Sequence, residues 1–367
     1  MKITVAIPTI EGRSTYLEAC LRTCVSQDED FEILVSDNPG TTARDVVESF
    51  NDVRIRYVTP PRYLAMSAHW DFVLSQVTGN FLTFIGDDDG LMPGCIKKVK
   101  DIISQVGDIP IHHALANYCW PDFSNESKRN TVAFIHATGL GGEIMQSRIF
   151  LENICKGRSR YVDGPMVYHN FIPTALLRRL AVDGVFFRRS SPDLYSSIAI
   201  AAKTPNFFSS KELLTLSGQG AKANGAAVQL GKGGGFLAEA KAFYTPRYEG
   251  VSIQMALLDS LVEVAEHFNQ PDLLLKINYA AHFSGVIREA RLIAPGLRMQ
   301  EIKFALKAAY RHGVLFNTGV DLVGSIVHKI FYQPSSLSTQ VAYQSNKILK
   351  MPLGTQNIFD ATQSIFK

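Results

Sequence analysis

A mostly parallel, three-layer α/β fold is predicted by three observations on the 367-residue sequence. Short apolar runs alternate with amphipathic helical stretches over the first 120 residues, the pattern of a sheet buried between two helical layers. Polar clusters close three of those runs, at residues 8–13, 36–38 and 86–90. The composition, 46% hydrophobic and 19% charged, is that of a globular chain able to bury such a sheet.

The elements follow in order. Residues 2–8 read as a strand, and residues 15–27 as a helix opened by a capping box of Thr15 with Glu18. Residues 31–36 form a second strand. Residues 42–50 form a helix with Ala43, Val46, Val47 and Phe50 inward and Thr42 with Asp45 as its cap. Residues 54–58 make a third strand that stops at Pro60 and Pro61. Residues 67–77 form a helix with Trp70, Val73, Leu74 and Val77 inward, and residues 80–85 a fourth strand apolar enough to be buried on both faces. A helix over 94–106 follows, and residues 109–118 return to the sheet.

Beyond residue 120 the pattern loosens. Apolar runs are broken at Asp163-Gly164-Pro165, Arg188-Arg189 and Ser190-Ser191-Pro192-Asp193. Residues 218–235, rich in Gly and Ala, read as a loop or linker. A helical stripe of Met255, Leu258, Leu261, Val262, Ala265 and Phe268 comes next, then a second helix over 299–311 and a polar tail of about 35 residues.

The bulk numbers exclude several classes. A net charge of +3, from 37 basic and 34 acidic residues, gives no ground for a nucleic-acid partner. No signal-peptide pattern opens the chain and no apolar run is long enough to span a bilayer, so a cytoplasmic protein is expected. Five cysteines without scaffold spacing point to reduced thiols. Cys20 and Cys24 fall on one apolar helical face and read as core rather than as a metal pair.

The strongest chemical motif is Gly86-Asp87-Asp88-Asp89-Gly90. Three consecutive carboxylates after a buried strand repel one another, and a divalent cation relieves the repulsion. Hard oxygen donors suit Mn2+ or Mg2+, whose remaining coordination is filled by water and substrate phosphates. A solvated acidic turn is the plainer alternative. Asp37 and Asn38, closing the second strand, suit either the edge of a nucleobase or an Asx-type turn. In the first cluster, Pro8 and Thr9 face the crevice beyond the strand ends, with Arg13 available to a phosphate or carboxylate. Neither a P-loop nor a dinucleotide fingerprint is present.

Pro-Thr, Ser-Asp-Asn and an aspartate cluster, in this order on the first, second and fourth strands, resemble the nucleotide-sugar-binding half of family 2 glycosyltransferases with the GT-A fold. The resemblance covers about residues 1–225. It implies a catalytic region over 1–225, with the donor half at 1–120 and the acceptor half at 121–225, followed by a mainly helical region over 226–367. It implies a base pocket of Pro8, Thr9 and Asp37, uracil being the commonest base. Asp87 and Asp88 then serve the ribose, Asp89 is the metal ligand, and Arg13 and Arg62 reach toward base or diphosphate. One departure is Gly86, which stands where the family's first acid is usual, leaving open which of Asp87 and Asp88 meets the ribose.

Inverting transfer needs a carboxylate that takes the acceptor's proton. By the same resemblance Asp193, at the start of a helix over 194–202, is that base. An acid in a first helical turn also simply favours the helix dipole, and Asp163 and Asp183 are competitors. His169 reads as a structural hydrogen-bonder or a metal and diphosphate contact. Residues 217–225, with Lys222, suit a loop over the donor phosphates as well as a plain linker. The implied acceptor is a saccharide or lipid-linked saccharide, which would hold the protein at the inner face of the membrane. Residues 315–331 admit a peripheral membrane contact, though packing on the body, or a homo-oligomer through the C-terminal helices, is plainer. A nucleotidyltransferase and a non-catalytic assembly protein of the same fold are the alternative functions.

Overall fold

The computed structural model describes residues 1–39, 42–222, 246–331 and 348–365, with the backbone alone at residue 42 and residues 325–331. The first strand, β1 (Ile3–Ile10), is buried on both faces from Ile3 to Ile7 because it lies mid-sheet. It pairs in parallel with β2 (Glu32–Asn38) on one side and with β4 (Phe81–Phe84) on the other. β3 (Ile55–Val58) extends the sheet beyond β2, also in parallel. Between these strands run α1 (Ser14–Val25), α2 (Thr42–Ser49) and α3 (Met66–Gln76). The chain thus winds outward through β1, β2 and β3, then crosses back to the far side of β1. This reversal makes the carboxyl ends of β1 and β4 the topological switch point, the place where such sheets bind ligands in a crevice.

One sheet was expected and two are found. The first, in the order β3-β2-β1-β4-β9, ends in a short antiparallel strand, β9 (Ile172–Pro173). After the brief β5 (Gly90–Leu91) and α4 (Cys95–Val106), β6 (Ile111–Cys119) departs into a second sheet. A bridge from Ile111 to Phe171 ties it to the edge of the first sheet. Two partners draw β6 away: the antiparallel β7 (Thr131–Phe134) on one edge, and on the other the parallel β10 (Asn206–Gln219). β8 (Gly142–Gln146) pairs with β10, as does β5.

Two helices of the second half, α5 (Ser147–Cys155) and α7 (Pro192–Lys203), flank the chain between β8 and β10, with α6 (Thr174–Leu180) between them. Beyond residue 246 come α8 (Ile253–His267), α9 (Pro271–Leu275), α10 (Tyr279–Glu289), α11 (Pro295–Arg311) and α12 (Leu315–Phe331). α8 is buried nearly all round, Asp259 and Glu263 included. Those acids meet Arg188, Arg189 and Arg247, the compensation that buried charge requires. A single core cluster joins Ala6 and Phe84 of the first sheet to Leu258, Phe283 and Ala309 of these helices.

The C-terminal residues are more than a polar tail. β11 (Ile348–Lys350) pairs antiparallel with β7, and α13 (Ile358–Ser364) lies against α1 with Ile358 and Ala361 buried beside Tyr16 and Met92. Two local expectations also change. The capping box at Thr15 does not form; Arg13 is the N-cap residue of α1, and its guanidinium, which has donors only, makes no cap bond and turns to the aspartates instead. The cap expected at Thr42 concerns a side chain outside the described residues. All five cysteines are free and buried.

Candidate functional site

The crevice at the β1/β4 reversal collects the predicted residues. Gly86, Asp87, Asp88 and Asp89 leave β4 in a tight turn closed by the Asp89 amide donating to the Gly86 carbonyl at 3.2 Å. All three carboxylates are buried. Thr9, at the end of β1, donates its hydroxyl to Asp87 Oδ2 at 2.6 Å. Arg13 Nε donates to both Asp87 oxygens at 2.7 and 2.8 Å, and its Nη2 lies 3.3 Å from Asp88 Oδ1. Burial works against the Arg13 charge, but Asp87 and Asp88 more than offset it and hold the guanidinium above its ordinary value.

Asp89 is held by the backbone. Its Oδ1 accepts from the Gly218 amide at 2.7 Å, and its Oδ2 from the Gly86 amide at 2.5 Å and the Tyr168 hydroxyl at 2.6 Å. Tyr168 and His169 arrive because residues 167–169 run beside the end of β4, with backbone bonds to Phe84 of 3.0 and 2.7 Å. His169 Nδ1 meets Thr215 Oγ1 at 2.7 Å, while its buried Nε2 has no hydrogen-bond partner and stands 3.4 Å from Asp89 Oδ2. Burial keeps this ring neutral, at about 3.

Charge in the turn does not balance. Arg13 pairs with two of the three carboxylates, Asp87 and Asp88, and burial pushes all three up: Asp88 to about 7, Asp89 to about 6 against its three donors, and Asp87 upward despite Arg13 and Thr9. A divalent cation among hard oxygen donors fits this excess. Among the described residues no three His, Cys, Asp or Glu side chains form a ready-made cage. A magnesium-like ion needs only one or two carboxylates beside water and phosphate.

The neighbouring strand end offers a second opening. Asp37 is fully buried; its Oδ2 accepts from the Tyr57 hydroxyl at 3.0 Å, and its Oδ1 is left without a partner. Burial raises its carboxyl, opposed by Tyr57. Pro8 is partly exposed on β1 between these points. Asn38 clamps the loop after β3, donating to the Leu64 carbonyl at 2.7 Å and accepting from its amide at 2.9 Å. Arg62, exposed on that loop, is brought to the β2 end of the crevice but into none of the contacts around the aspartates.

The three acids weighed for proton transfer separate clearly. Asp193 lies in the first turn of α7, after Pro192. Burial raises its carboxyl, tempered by its own and the Leu194 amides and by the Tyr161 hydroxyl. Burial also acts on Asp163, but His136 at 3.1 Å and Arg160 at 2.7 Å hold it well below the carboxylate range. Asp183 sits exposed at positive φ in a turn closed by Val182 and Val185.

Residues 217–219, expected in a mobile loop, instead finish β10, because Gly218 lies directly on the aspartate turn. Lys222 bonds the Gly12 carbonyl through Nζ at 2.6 Å, and its own carbonyl accepts from Arg13 at 2.6 Å. The rest of that glycine-rich stretch, residues 223–235, lies outside the described residues. Sequence reading missed Tyr57, Tyr161, Gly218 as an amide donor, and Trp120, whose Nε1 donates to the Asp88 carbonyl at 3.0 Å. Each lies 20 or more residues from its partner, and no local pattern marks it.

Residues 4–163 match the family model described as glycosyl transferase family 2, a span that holds β1 to β4 and the whole aspartate turn. Over that segment, less than half of its length, the chain is similar to that family. A GalNAc(5)-diNAcBac-PP-undecaprenol beta-1,3-glucosyltransferase of Campylobacter jejuni subsp. jejuni is 34% identical over 100 residues, 26% of this chain and 32% of the relative. The matched stretch thus spans about a third of that relative's length. Among solved structures, residues 1–349 of S. aureus TarS with UDP-GlcNAc align at a TM-score of 0.47 and 14% identity, covering 85% of this chain and 92% of that one. The mannosyltransferase PcManGT from Pyrobaculum calidifontis, with GDP-Man and Mn2+, aligns at 0.42 and 13%, covering 90% and 87%.

Proposed function

We propose that this chain is a family 2, metal-dependent glycosyltransferase that moves a sugar from a nucleoside-diphosphate sugar, UDP-linked by preference, to a hydroxyl acceptor with inversion. The observation that carries the reading is the junction of β1 and β4. There Thr9 and Arg13 fix Asp87 beside two further buried carboxylates, within the family-matched segment. Asp37, with its free buried oxygen, suits a base N–H, and Pro8 and Thr9 suit the base face. Asp87 and Asp88 suit the ribose. Asp89, next to the orphaned His169 Nε2, is the assigned metal ligand. When bound, Mn2+ or Mg2+ supplies positive charge to the diphosphate as it leaves. Arg13 and Arg62 are the cations assigned to the phosphates.

Asp193 is assigned as the base. The acceptor oxygen bonds to the anomeric carbon, the bond from that carbon to the diphosphate breaks, and the acceptor's proton passes to the Asp193 carboxylate. A carboxyl raised by burial holds that proton better, which favours the transfer. The acceptor is assigned as a saccharide, and a lipid-linked one is suggested by the undecaprenol-linked substrate named for the Campylobacter relative.

Calorimetric titration of UDP with and without Mn2+ tests the reading, on the native chain and on Asp89→Ala. Metal-dependent UDP binding abolished by the substitution is the expected result. Equal binding by the variant, or none by the native chain with UDP or GDP, overturns the site.

A further inference from the structure

Two late helices, α11 and α12, carry an exposed surface that the catalytic reading leaves unused. On α11, Met299, Lys303, Leu306 and Tyr310 recur at helical spacing on the face opposite buried Glu301, Ala305 and Ala309. Tyr310 is 75% exposed and Met299 61%. On α12, Phe316, Val320 and Val323 share a face with Gly319 and oppose buried Thr318; Phe316 is 82% exposed and Val323 61%. Soluble surfaces scatter such residues singly, whereas here they line up along two consecutive helices.

The charge on α11 beside them is one-sided, while α12 carries one acid, Asp321, that is half-buried. α11 carries Arg298, Lys303, Lys307 and Arg311, all exposed. Its one acid, Glu301, is turned inward, where it accepts from the Val251 and Ser252 amides at 2.6 and 3.3 Å. Lys307 and Arg311 also line a cleft with Arg247, Tyr248 and His312, in which Glu249, 3.6 Å from Lys307, is the acid. Among the described residues no helix is long and apolar enough to cross a bilayer. Aromatic and aliphatic side chains in a row, with lysine and arginine flanking them, suit a helix lying in the headgroup layer.

We propose that α11 and α12 are a docking face for an anionic lipid bilayer, with Tyr310, Phe316, Val320 and Val323 entering the headgroup layer and Lys303 and Arg311 meeting lipid phosphates. The inference rests on surface geometry and charge and holds whichever nucleotide the crevice binds. A second copy of the chain would also cover an apolar face, but the basic flank with its acid turned inward favours a negatively charged plane over a like-charged copy.

Flotation with liposomes tests this on the full chain. Vesicles of phosphatidylglycerol and phosphatidylcholine should carry the protein up, and pure phosphatidylcholine should not. Phe316→Ser with Val320→Ser should lower the bound fraction at least tenfold. Lys303→Glu with Arg311→Glu should lower it by about fivefold per cation on the anionic vesicles. Thermal midpoints within a few degrees of native certify that the variants fold. Flotation that ignores lipid charge, flotation unchanged in both variants, or no flotation at all overturns the proposal. So does a native dimer, seen by light scattering, that the Phe316 and Val320 changes split into monomers.

Discussion

Replacing Gly218 with alanine adds one methyl group at the point where β10 crosses the aspartate turn. A Cβ built there stands 1.7 Å from the Asp88 carbonyl oxygen, 2.5 Å from its carbon and 2.7 Å from Trp120 Nε1. Two of those neighbours are backbone, so no side-chain swing relieves the clash and one strand must retreat by more than an ångström. Retreat breaks the 2.7 Å bond from the Gly218 amide to Asp89, and the 3.0 Å bond from Trp120 to Asp88 is pressed from the same side. Overpacking of this kind costs about 1–3 kcal/mol, and a lost hydrogen bond to a buried carboxylate about 1.5–3 kcal/mol. A destabilisation of about 3–5 kcal/mol in urea unfolding is therefore expected, with UDP affinity at least tenfold weaker by calorimetry. Gly139→Ala is the control, since its nearest neighbour would be Lys211 Cβ at 3.9 Å; it should stay within about 0.5 kcal/mol of native. Native stability and native UDP binding in Gly218→Ala would refute the close packing of β10 on the turn.

Arg13→Met strips the cation from Asp87 and Asp88. Removing one partner of a buried pair costs about 3–5 kcal/mol, and urea unfolding at pH 8 should show a loss of that order, shrinking toward pH 5. In the native chain the sign is the same. Asp88 and Asp89 are raised to about 7 and 6, so their contribution is complete below the unfolded value and is lost as pH rises through 6 to 7. Metal-free melting temperature should fall between pH 5 and 8, and Mn2+ should restore it at the upper end; a flat profile in a fluorimetric scan would count against the buried excess charge. Asp193→Asn should lower sugar transfer by roughly 10²–10⁴ in a coupled UDP-release assay while UDP affinity stays within about twofold. Asp163→Asn should spare turnover and cost about 1–3 kcal/mol of stability, because its carboxylate serves Arg160 and His136.

What the sequence reveals here is what lies within one strand and its following turn. Thr9, Asp37 and Asp87 sit at strand ends whose periodicity is local, and all three reach the crevice. The partners that shape their chemistry do not announce themselves: Tyr57 lies 20 residues from Asp37, Trp120 is 32 from Asp88, and Gly218 is 129 from Asp89. The second sheet escaped for a related reason. β6 reads as one more buried strand, and its departure is decided by β7 and β10, the latter pairing with it across about a hundred residues. The capping box at Thr15 was locally sound, but the helix begins at Ser14 and takes Thr15 inside its first turn, where it cannot cap. Asp193 was reached through family resemblance, since an acid in a first helical turn carries no chemical signal of its own.

The seam between the ends of the described chain bears on how the protein is made. β11 completes the edge of β7 from more than two hundred residues downstream, and α13 covers the flank of α1, a helix synthesised more than three hundred residues earlier. At ribosomal speeds of about 5–20 residues per second, α1 waits on the order of twenty seconds or more with Tyr16 and its neighbours uncovered. Contacts of such long sequence separation also slow folding, since the loop must close before the contact rewards it. A nascent chain halted before residue 348 should therefore expose that flank to chaperones, while the β1–β4 reversal, finished within the first ninety residues, has its strands paired long before.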